Sequence, residues 1–365
     1  MDIVDIQRQK YMDETNKAFF RELITTPGPS GFEQAPAHVW RNHAETFADS
    51  VDRDNLGNSY AYVKGTGDTD YTVVIEGHID EIGFIITHVD ENGFIWFDRI
   101  GGWDEQVVVG QRIRIAGPNG DVIGVIGKKA AHLLESKDRE KPTKLKDLWI
   151  DIGAKDKDDA LTKVSIGDPA VIDAEPVELT DDLWASRSMD NRTGAYVALR
   201  AVQILAEDRP QVNVVGVAAT EEEIGLVGAT TLSWHIRPQV AIAIDVTHAT
   251  DYPGAGKKSD GDISLGGGPV LGRGSSVNPR VFSALLDAGK RLDIRTPVQA
   301  NGLRTGTDAD NIIRSGANIA VGLVSIPNRY MHSPSEIVSL ADLESAAQVI
   351  AEFVRSVTPE SDFRP

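Results

Sequence analysis

Four short apolar segments of this chain each lead directly into polar residues of the types that bind metals and transfer protons. The segments are rich in valine, isoleucine and alanine, and nearly continuous apolar runs of this kind predict strands buried on both faces. They are Tyr71–Ile75 before Glu76 to Asp80, Val212–Ala219 before Thr220 to Glu223, Val240–Ile244 before Asp245, and Ile319–Ile326 before Pro327 to His332.

Helical patterns lie around these strands. Residues 15–25 predict a short helix, which the sequence T-P-G-P-S-G ends abruptly. Apolar residues recur at helical spacing over Thr193–Ala206 and Leu340–Val357, and Ser339 with Asp342 forms a capping pattern before the second of these helices. Strands that alternate with helices predict an α/β fold in which helices flank one sheet.

The middle of the chain has a different pattern. From residue 83 to residue 182, short alternating strands are separated by glycine and asparagine turns, and nine of the fifteen lysines fall between Lys128 and Lys163. We interpret residues 83–182 as a β-rich domain inserted into a discontinuous α/β domain, which consists of residues 1–82 and 183–365.

Composition argues against several classes of partner and site. The chain of 365 residues has a formal net charge of −18, which disfavours binding to nucleic acid or to an anionic membrane. It contains no cysteine, so a metal would have to be held by histidine, carboxylate or water. The N-terminus lacks the pattern of a signal peptide, and no run approaches about 18 apolar residues, so we expect a cytoplasmic protein.

Taken one at a time, the polar residues that follow the strands have ordinary explanations, such as a helix-capping aspartate or a solvated run of glutamates. Together they indicate a metal site, because the carboxyl ends of the strands of an α/β sheet are where ligands bind. Two histidines and several carboxylates would suit two divalent metals, one carboxylate bridging them and another taking a proton from a shared water. The residues concerned are His78, Asp190, Glu222, Glu223, Asp245 and His332, with Asp80 suited to orient His78.

Seven motifs, spread over nearly the whole chain, occur in an order that resembles glutamyl and tetrahedral aminopeptidases. They are T-P-G-P-S-G-F-E, G-H-I-D-E-I-G-F-I-I, S-M-D-N-R, E-E-I-G, A-I-D-V-T, G-T-D-A and R-Y-M-H-S-P. Members of this family are exopeptidases with two metals, and some carry an endoglucanase label. The resemblance implies a three-layer α/β/α exopeptidase domain interrupted by a β-rich dimerisation domain, which matches the division into domains given above.

The resemblance also implies which residues bind the metals. By their place in the motifs, His78 and Asp245 are ligands of one metal, Glu223 and His332 are ligands of the other, and Asp190 is the bridge. The family usually holds zinc or cobalt, and a set of two histidines and three carboxylates accommodates either metal.

The same resemblance makes Glu222 the general base and Asp80 the partner of the neighbouring histidine. In the implied mechanism, Glu222 removes a proton from a water shared by the metals, the hydroxide attacks the first peptide carbonyl, and Glu222 returns a proton to the leaving amine. The chain departs from the family pattern in two places. It has three consecutive glutamates, Glu221 to Glu223, instead of two, and Asn191 stands where the family often has an aspartate that is not expected to ligate.

Family members assemble dimers, through the inserted domain, into a hollow tetrahedral shell of twelve subunits with the active sites inside. The resemblance therefore implies that this chain forms a dodecamer and acts on short or unfolded peptides. Acidic, basic and aliphatic N-terminal residues are all compatible with such a scaffold.

Other functions stay open at this stage. A related dinuclear hydrolase, such as a deacylase or a carboxypeptidase, would use the same metal site. A glycosidase is disfavoured, because its two carboxylates act without metal, whereas the carboxylates here accompany histidines. A catalytically silent scaffold is the alternative from another class.

Two further motifs have structural interpretations. Asp308 in G-T-D-A either lies near the site or caps a helix at residues 308–314. The stretch Gly266–Gly274 lacks the spacing of a phosphate-binding loop and predicts an ordinary loop.

Overall fold

The computed structural model of this chain describes residues 12–135 and 141–365, so most of the N-terminal segment in which we expect no signal peptide lies outside the described residues. The helices are α1 (Glu14–Thr25), α2 (Gln34–Ala44), α3 (Glu105–Val108), α4 (Lys157–Leu161), α5 (Met189–Glu207), α6 (Val227–Ile236), α7 (Lys257–Asp260), α8 (Pro279–Arg291), α9 (Asp308–Arg314) and α10 (Leu340–Arg355). Within the described part of the chain, no helix combines the length and apolar character that crossing a membrane requires.

The strands belong to three sheets. They are β1 (Ser50–Arg53), β2 (Ser59–Val63), β3 (Thr72–His78), β4 (Gly83–Val89), β5 (Ile95–Ile100), β6 (Arg112–Gly117), β7 (Gly120–Gly127), β8 (Trp149–Asp151), β9 (Pro169–Ile172), β10 (Val177–Glu178), β11 (Leu183–Ser186), β12 (Asn213–Ala219), β13 (Val240–His248), β14 (Val270–Gly274), β15 (Val298–Asn301), β16 (Ala320–Asn328) and β17 (Glu336–Ser339).

Eight of these strands form the main sheet, in the order β1-β2-β12-β3-β13-β16-β14-β15. The central strands β12, β3, β13 and β16 run parallel to one another and correspond to the four apolar segments of the sequence, so those predicted strands are confirmed. Strand β13 is longer than predicted, because the residues from Asp245 to His248 stay paired with β16. The carboxyl ends of all four strands therefore lie at one edge of the sheet.

Helix α5 packs across the middle of this sheet, where it contacts β3, β12, β13 and helix α10. Gly77 in β3 permits this close approach, because a Cβ there would lie 2.3 Å from the carbonyl carbon of Gly194 in α5. Helices α6 and α9 pack against each other and contact strands of the same sheet. The three predicted helices correspond to α1, α5 and α10, and the result is a mixed α/β fold with a large apolar core around the sheet.

Strands β4 to β9 form a closed barrel, in the order β4-β5-β8-β7-β6-β9, around an apolar core of its own. The barrel starts at Gly83, where the predicted β-rich domain starts, and its last strand ends at Ile172. Strand β10 lies within the predicted limits of that domain but pairs with β11, in a small antiparallel sheet that also contains β17. The limits 83–182 stay a prediction.

The predicted capping pattern at the start of α10 is wrong. Ser339 donates its hydroxyl to a carboxylate oxygen of Asp182 at 2.7 Å instead of capping the helix, and Asp342 does not bond back to the helix start. The cap comes from Asp182, whose Oδ1 accepts a hydrogen bond from the backbone N–H of Ala341 at 2.9 Å. A partner far away in the sequence thus replaces the local one.

The glycine-rich stretch is only partly the predicted loop. Gly266 and Gly268 donate their backbone N–H groups to the carboxylate of Asp342, both at 2.8 Å. These two hydrogen bonds compensate the burial of that carboxylate. The second half of the stretch forms strand β14, which pairs with β16 and joins the main sheet. The apolar pair Val270 and Leu271 makes this possible, because both side chains are fully buried.

Candidate metal centre

The carboxyl ends of the parallel strands bring together all the residues predicted for the metal site. They share one edge of the main sheet and one small volume beside it. The residues are His78 at the end of β3, Asp190 at the start of α5, Glu222 and Glu223 after β12, Asp245 within β13, and His332 after β16.

Asp190 lies between the two histidines and directs one carboxylate oxygen toward each. Its Oδ1 is 3.2 Å from Nε2 of His78, and its Oδ2 is 3.2 Å from Nε2 of His332. A carboxylate in this position can bridge two cations, which in dinuclear hydrolases lie about 3.5–4 Å apart. The place predicted for the bridging aspartate is therefore the place where the two halves of the site meet.

Each histidine also faces further carboxylates. Nε2 of His78 lies 3.6 Å from Oε2 of Glu222 and 3.8 Å from Oδ1 of Asp245, and ligand atoms of these three residues all lie within 4.8 Å of one another. Nε2 of His332 lies 3.3 Å from Oε1 of Glu223. Glu222 thus lies with His78 and Asp245, whereas Glu223 lies beside His332 and is also within 4.8 Å of ligand atoms of His78 and Asp190.

Asp80 is fully buried behind His78 and links it to the loop that carries the glutamates. Its Oδ1 is 3.2 Å from Nδ1 of His78 and accepts a hydrogen bond from the backbone N–H of Glu222 at 3.1 Å. Its Oδ2 accepts hydrogen bonds from the backbone N–H of Glu223 at 3.1 Å and from the hydroxyl of Ser30 at 2.6 Å. A carboxylate held in this way fixes the orientation of the imidazole, so that Nε2, the candidate ligand atom, points toward the cluster.

Glu336 is a site residue that the sequence analysis missed. Its buried carboxylate accepts two backbone hydrogen bonds at 2.8 Å, from the N–H of Asp190 to Oε2 and from the N–H of His332 to Oε1. The carboxylate of Glu336 therefore fixes the backbone of both Asp190 and His332. The only sequence signal is its place four residues after His332, which does not reveal its partners.

Backbone strain is concentrated at the same place. His332 has a φ of 60° and Glu221 a φ of 58°, which is the left-handed region that side chains other than glycine rarely adopt. Such conformations cost about 1–3 kcal/mol each and persist where the surrounding structure enforces them. Here the N–H of His332 is held by Glu336 and the N–H of Glu221 is held by Glu33.

The electrostatics of the site call for added positive charge. The side chains of Asp190, Glu222, Glu223 and Asp245 are only 6–10% exposed. Burial raises the pKa of Glu222 and of Asp245 well above the usual range, and it also raises the pKa of Glu223. Buried carboxylates of this density are stabilised by cations, and two imidazoles with several carboxylates form a ligand set that divalent metals accept. The residues present therefore fit two metal ions.

The pKa values of the two histidines are also raised, but here the neighbouring carboxylates are responsible and burial opposes the shift. Burial alone would lower the pKa of His332, but its hydrogen bonds with Asp190 and Glu223 raise that pKa to about 11. Burial likewise opposes charge on His78, while Glu222, Asp80 and Asp190 together raise its pKa well above the usual range. Without metal, protons on the two imidazoles partly compensate the carboxylates, so metal binding has to displace them.

A second buried carboxyl pair lies beneath the metal ligands. Glu76 and Asp308 are both buried and close enough to influence each other's pKa, and none of their carboxyl oxygens has a hydrogen-bond partner in the described part of the chain. Burial raises the pKa of Glu76 to about 8 and the pKa of Asp308 well above its usual range. Asp308 thus lies near the site and does not cap α9, where Thr307 accepts the capping bond from Ala309.

The two departures from the family pattern are accommodated. Glu221 donates its backbone N–H to Glu33 at 3.1 Å, and its carboxylate forms no ion pair with either histidine in the described part of the chain. Asn191, after the cis peptide bond that follows Asp190, donates its amide to the carbonyl of Ile244 at 2.8 Å. Neither residue belongs to the metal cluster.

Comparison with known proteins identifies the family of this chain. The family model of M42 glutamyl aminopeptidases matches residues 57–349. The lysyl aminopeptidase of Pyrococcus furiosus is 30% identical over 348 residues, which is 94% of this chain and 98% of the relative.

Solved structures give the same picture. The TET aminopeptidase from a marine sediment Thaumarchaeota archaeon has a TM-score of 0.89 and 30% identity, and the match covers 95% of this chain and 98% of that one. The TET1 peptidase of Pyrococcus horikoshii, which can assemble into a tetrahedron or a large octahedral shell, has a TM-score of 0.83 and 27% identity over 94% of this chain and 100% of that one.

Proposed function

Because the chain belongs to the M42 glutamyl aminopeptidase family, we propose that it is a metal-dependent aminopeptidase that removes N-terminal residues from peptides. The observation that carries the proposal is the position of Asp190, with one carboxylate oxygen 3.2 Å from each of two histidines. Family members are metal-dependent, and the ligand set of this chain is consistent with zinc or cobalt.

His78 and Asp245 would hold one divalent ion, Glu223 and His332 the other, and Asp190 would bridge them. When bound, two such ions would acidify a water molecule and polarise the carbonyl of the first peptide bond. Two observations support this division: His78 and Asp245 belong to one group of ligand atoms within 4.8 Å of one another, and Nε2 of His332 lies 3.3 Å from Oε1 of Glu223.

Glu222 is the group in this chain that can move the proton. Its carboxylate lies 3.6 Å from Nε2 of His78, and Glu222 lines the cavity beside the cluster. Burial raises the pKa of Glu222 well above the usual range, which suits a group that accepts a proton near neutral pH and then returns it to a leaving amine. Asp80 holds the N–H of Glu222 at 3.1 Å and so positions it.

The carboxylates of the site also suit recognition of a free N-terminus. A substrate bound with its first carbonyl near Glu222 would place its α-amino group among carboxylates. Their negative charge can pair with the positive charge of the α-amino group. An N-acylated substrate lacks that positive charge. This difference favours an aminopeptidase over a deacylase.

The activity test uses aminoacyl p-nitroanilides beside N-acyl amino acids, with the purified full chain. We expect cleavage of the anilides alone, loss of activity after chelation, and recovery with zinc or cobalt. Elemental analysis should give about two metal ions per chain, as the two clusters require. Chelator-resistant activity, or cleavage of only the acyl substrates, would contradict the proposal.

We extend the proposal to assembly, with a three-layer α/β/α domain as the catalytic part and the barrel as the dimerisation domain. Ile123 and Val125 on barrel strand β7 are each 48% exposed, which supports burial of this face against another chain. Twelve chains of 39.5 kDa would form a particle of about 470 kDa. The predicted cytoplasmic location stays part of the hypothesis.

Light scattering of the metal-loaded protein tests the assembly. We expect a mass near that of twelve chains, and Ile123→Asp should lower it to that of smaller species. Leu303→Asp, which adds the same charge at an exposed position outside the barrel, serves as the control. A fully active monomer at micromolar concentration would contradict this part of the proposal.

A further inference from the structure

A cavity of about 300 Å³ opens from the metal centre across the carboxyl ends of β13, β15 and β16. Asp190, Glu222 and Asp245 line its inner end, and the outer part extends toward the start of α9. Its volume is within the range of cavities that bury small ligands. A peptide whose first carbonyl lies beside Glu222 would direct its N-terminal side chain into this space.

The lining of this cavity is uncharged beyond the predicted metal ligands and Glu222. In the part of the chain that the structure describes, no lysine, arginine, aspartate or further glutamate contributes to it. The one additional ionisable group is His248, which is exposed. The neutral side chains that form the walls include Thr247, Gln299, Asn301, Leu323, Ser325 and Met331.

Gln299 gives this wall a fixed position. The hydroxyl of Thr247 donates to its Oε1 at 3.0 Å, and its Nε2 donates to the backbone carbonyl of Asp260 at 3.3 Å. The amide is therefore held at both ends by neutral partners. Neither contact could neutralise a charged substrate side chain.

We infer that this cavity selects N-terminal residues with uncharged side chains of the size of leucine, methionine or glutamine. A lysine or glutamate side chain would lose its hydration there without gaining an ion pair, which is unfavourable. The inference rests on the proposed aminopeptidase function and deepens it. It also separates this chain from what the names of the lysyl relative and of the glutamyl family suggest.

The first test is a panel of aminoacyl p-nitroanilides with the metal-loaded protein. We expect kcat/KM for leucine, methionine and glutamine to exceed that for lysine, arginine, aspartate and glutamate by at least about tenfold. A lysine or glutamate substrate that is cleaved as fast as leucine overturns the inference while leaving the aminopeptidase function intact.

The second test moves a charge into the wall. Gln299→Glu keeps the size of the side chain and loses the hydrogen bond to the carbonyl of Asp260, but it can still accept the hydrogen bond from Thr247, which keeps the new carboxylate in the wall. We expect the ratio of lysine to leucine cleavage to rise by at least about tenfold, because a buried ion pair replaces an unpaired charge. Gln299→Lys should shift the ratio toward glutamate in the same way.

Val298→Glu is the matched control. Val298 precedes Gln299 in β15, is 47% exposed and does not line the cavity. Its substitution by glutamate therefore adds the same charge on the opposite face of the strand. We expect its substrate ratios to equal those of the unaltered protein. An equal shift in both variants, or no shift in Gln299→Glu, would mean that the cavity wall does not select the side chain.

Calorimetry with free amino acids keeps the two hypotheses apart. If no anilide is cleaved, the proposed function fails, but binding of L-leucine, L-lysine and L-glutamate to the metal-loaded protein still tests the cavity. Tighter binding of leucine than of either charged amino acid supports the inference. Equal or tighter binding of lysine or glutamate overturns it.

Discussion

Glu221, Glu222 and Glu223 are consecutive residues with three different surroundings. Glu221 has a left-handed backbone conformation and is tied by its N–H to Glu33. Glu222 and Glu223 are tied by their N–H groups to the two oxygens of Asp80, yet their carboxylates approach different histidines. A single turn of backbone thus separates a structural residue, a proposed base and a proposed ligand.

Substitution of each glutamate by glutamine tests these roles. Glu222→Gln cannot accept a proton, so we expect it to keep both metals and to lose activity by about 10²–10⁴-fold. Glu223→Gln removes a charged ligand, so one metal should bind more weakly and some activity should return at high metal concentration. Glu221→Gln should be nearly silent. Metal content and turnover are measured for the three variants side by side, and loss of metal from Glu222→Gln would assign it to the ligands instead.

Glu336 offers a sharper test of how the site is held together. Glu336→Gln has one acceptor oxygen in place of two, so either the N–H of Asp190 or that of His332 must lose its partner. We expect metal affinity to fall by about 10–100-fold, the effect typical of groups that hold metal ligands in position. The measurement is competition with a chromogenic chelator.

Glu344→Gln is the control for Glu336→Gln. Glu344 is also a buried glutamate, but it is bonded to Tyr196 and Arg200, away from the metal cluster. Its substitution should lower the free energy of unfolding while leaving metal affinity unchanged. If both variants lower metal affinity equally, the effect of Glu336 is a general loss of stability.

At the scale of elements, the T-P-G-P-S-G segment is joined to helix α5 by a buried guanidinium. Arg192 is fully buried and donates to the backbone carbonyls of Leu23 and Thr26 and to Oε1 of Glu81. The backbone N–H of Gly28 also donates to Glu81, at 3.0 Å. The end of α1, the loop and the start of α5 are therefore one hydrogen-bonded unit that carries Ser30 toward Asp80.

Arg192→Met should break this unit. It leaves two carbonyls without donors and removes one cation from Glu81, so we expect a loss of about 3–5 kcal/mol in the free energy of unfolding. Arg209→Met removes an arginine of an exposed ion pair with Asp49 and should cost about 1 kcal/mol or less. Urea unfolding followed by circular dichroism compares the two, and similar losses would show that the buried unit has no special role.

The elements could be predicted from the sequence where each segment carries its own burial signal. The four parallel strands and helices α1, α5 and α10 are such segments, and the ends of the strands then indicate most of the candidate metal ligands. The capping of α10 by Asp182 could not be predicted, because Asp182 lies 159 residues before Ala341 in the sequence. The pairing of Glu76 with Asp308 was hidden for the same reason, since a lone carboxyl in an apolar strand does not reveal what faces it.

At the scale of the whole molecule, the barrel and the α/β part meet at the metal centre. Gly101 and Gly102 follow barrel strand β5, and a Cβ at Gly102 would lie 3.2 Å from Nδ1 of His332. A Cβ at Gly101 would lie 3.3 Å from Cβ of Glu223. Because the proposed dimerisation domain borders two proposed ligands, assembly and metal binding are expected to influence each other.

The charge balance of the whole site makes metal binding depend on pH. In the metal-free protein, hydrogen bonds with carboxylates raise the pKa of His332 to about 11 against the opposing effect of burial, and the pKa of His78 is also raised. His332 is therefore protonated at neutral pH, and the raised pKa of His78 favours its protonated form as well, so we expect metal binding to release protons. Affinity should rise with pH by up to about tenfold per unit for each proton released.

The stability of the metal-free protein should change in the opposite direction. A histidine whose pKa is raised in the folded state contributes stability that is complete below its unfolded pKa of about 6.5 and is lost as pH rises through the folded value. For His332 that interval extends from about 6.5 to about 11. Between about pH 6 and about pH 8.5, the melting temperature of the metal-free protein should therefore fall, while the increment gained on adding zinc grows.

Thermal unfolding at several pH values, with and without zinc, measures both trends, and calorimetry in two buffers of different ionisation enthalpy counts the released protons. His332→Gln is the informative variant, because glutamine keeps a polar side chain but has no proton to release. It should release fewer protons on metal binding and show a weaker dependence of affinity on pH. If zinc affinity of the unaltered protein is the same at about pH 6 and about pH 8, the imidazoles are already neutral before metal binds, and the assignment of His78 and His332 as proton-releasing ligands is wrong.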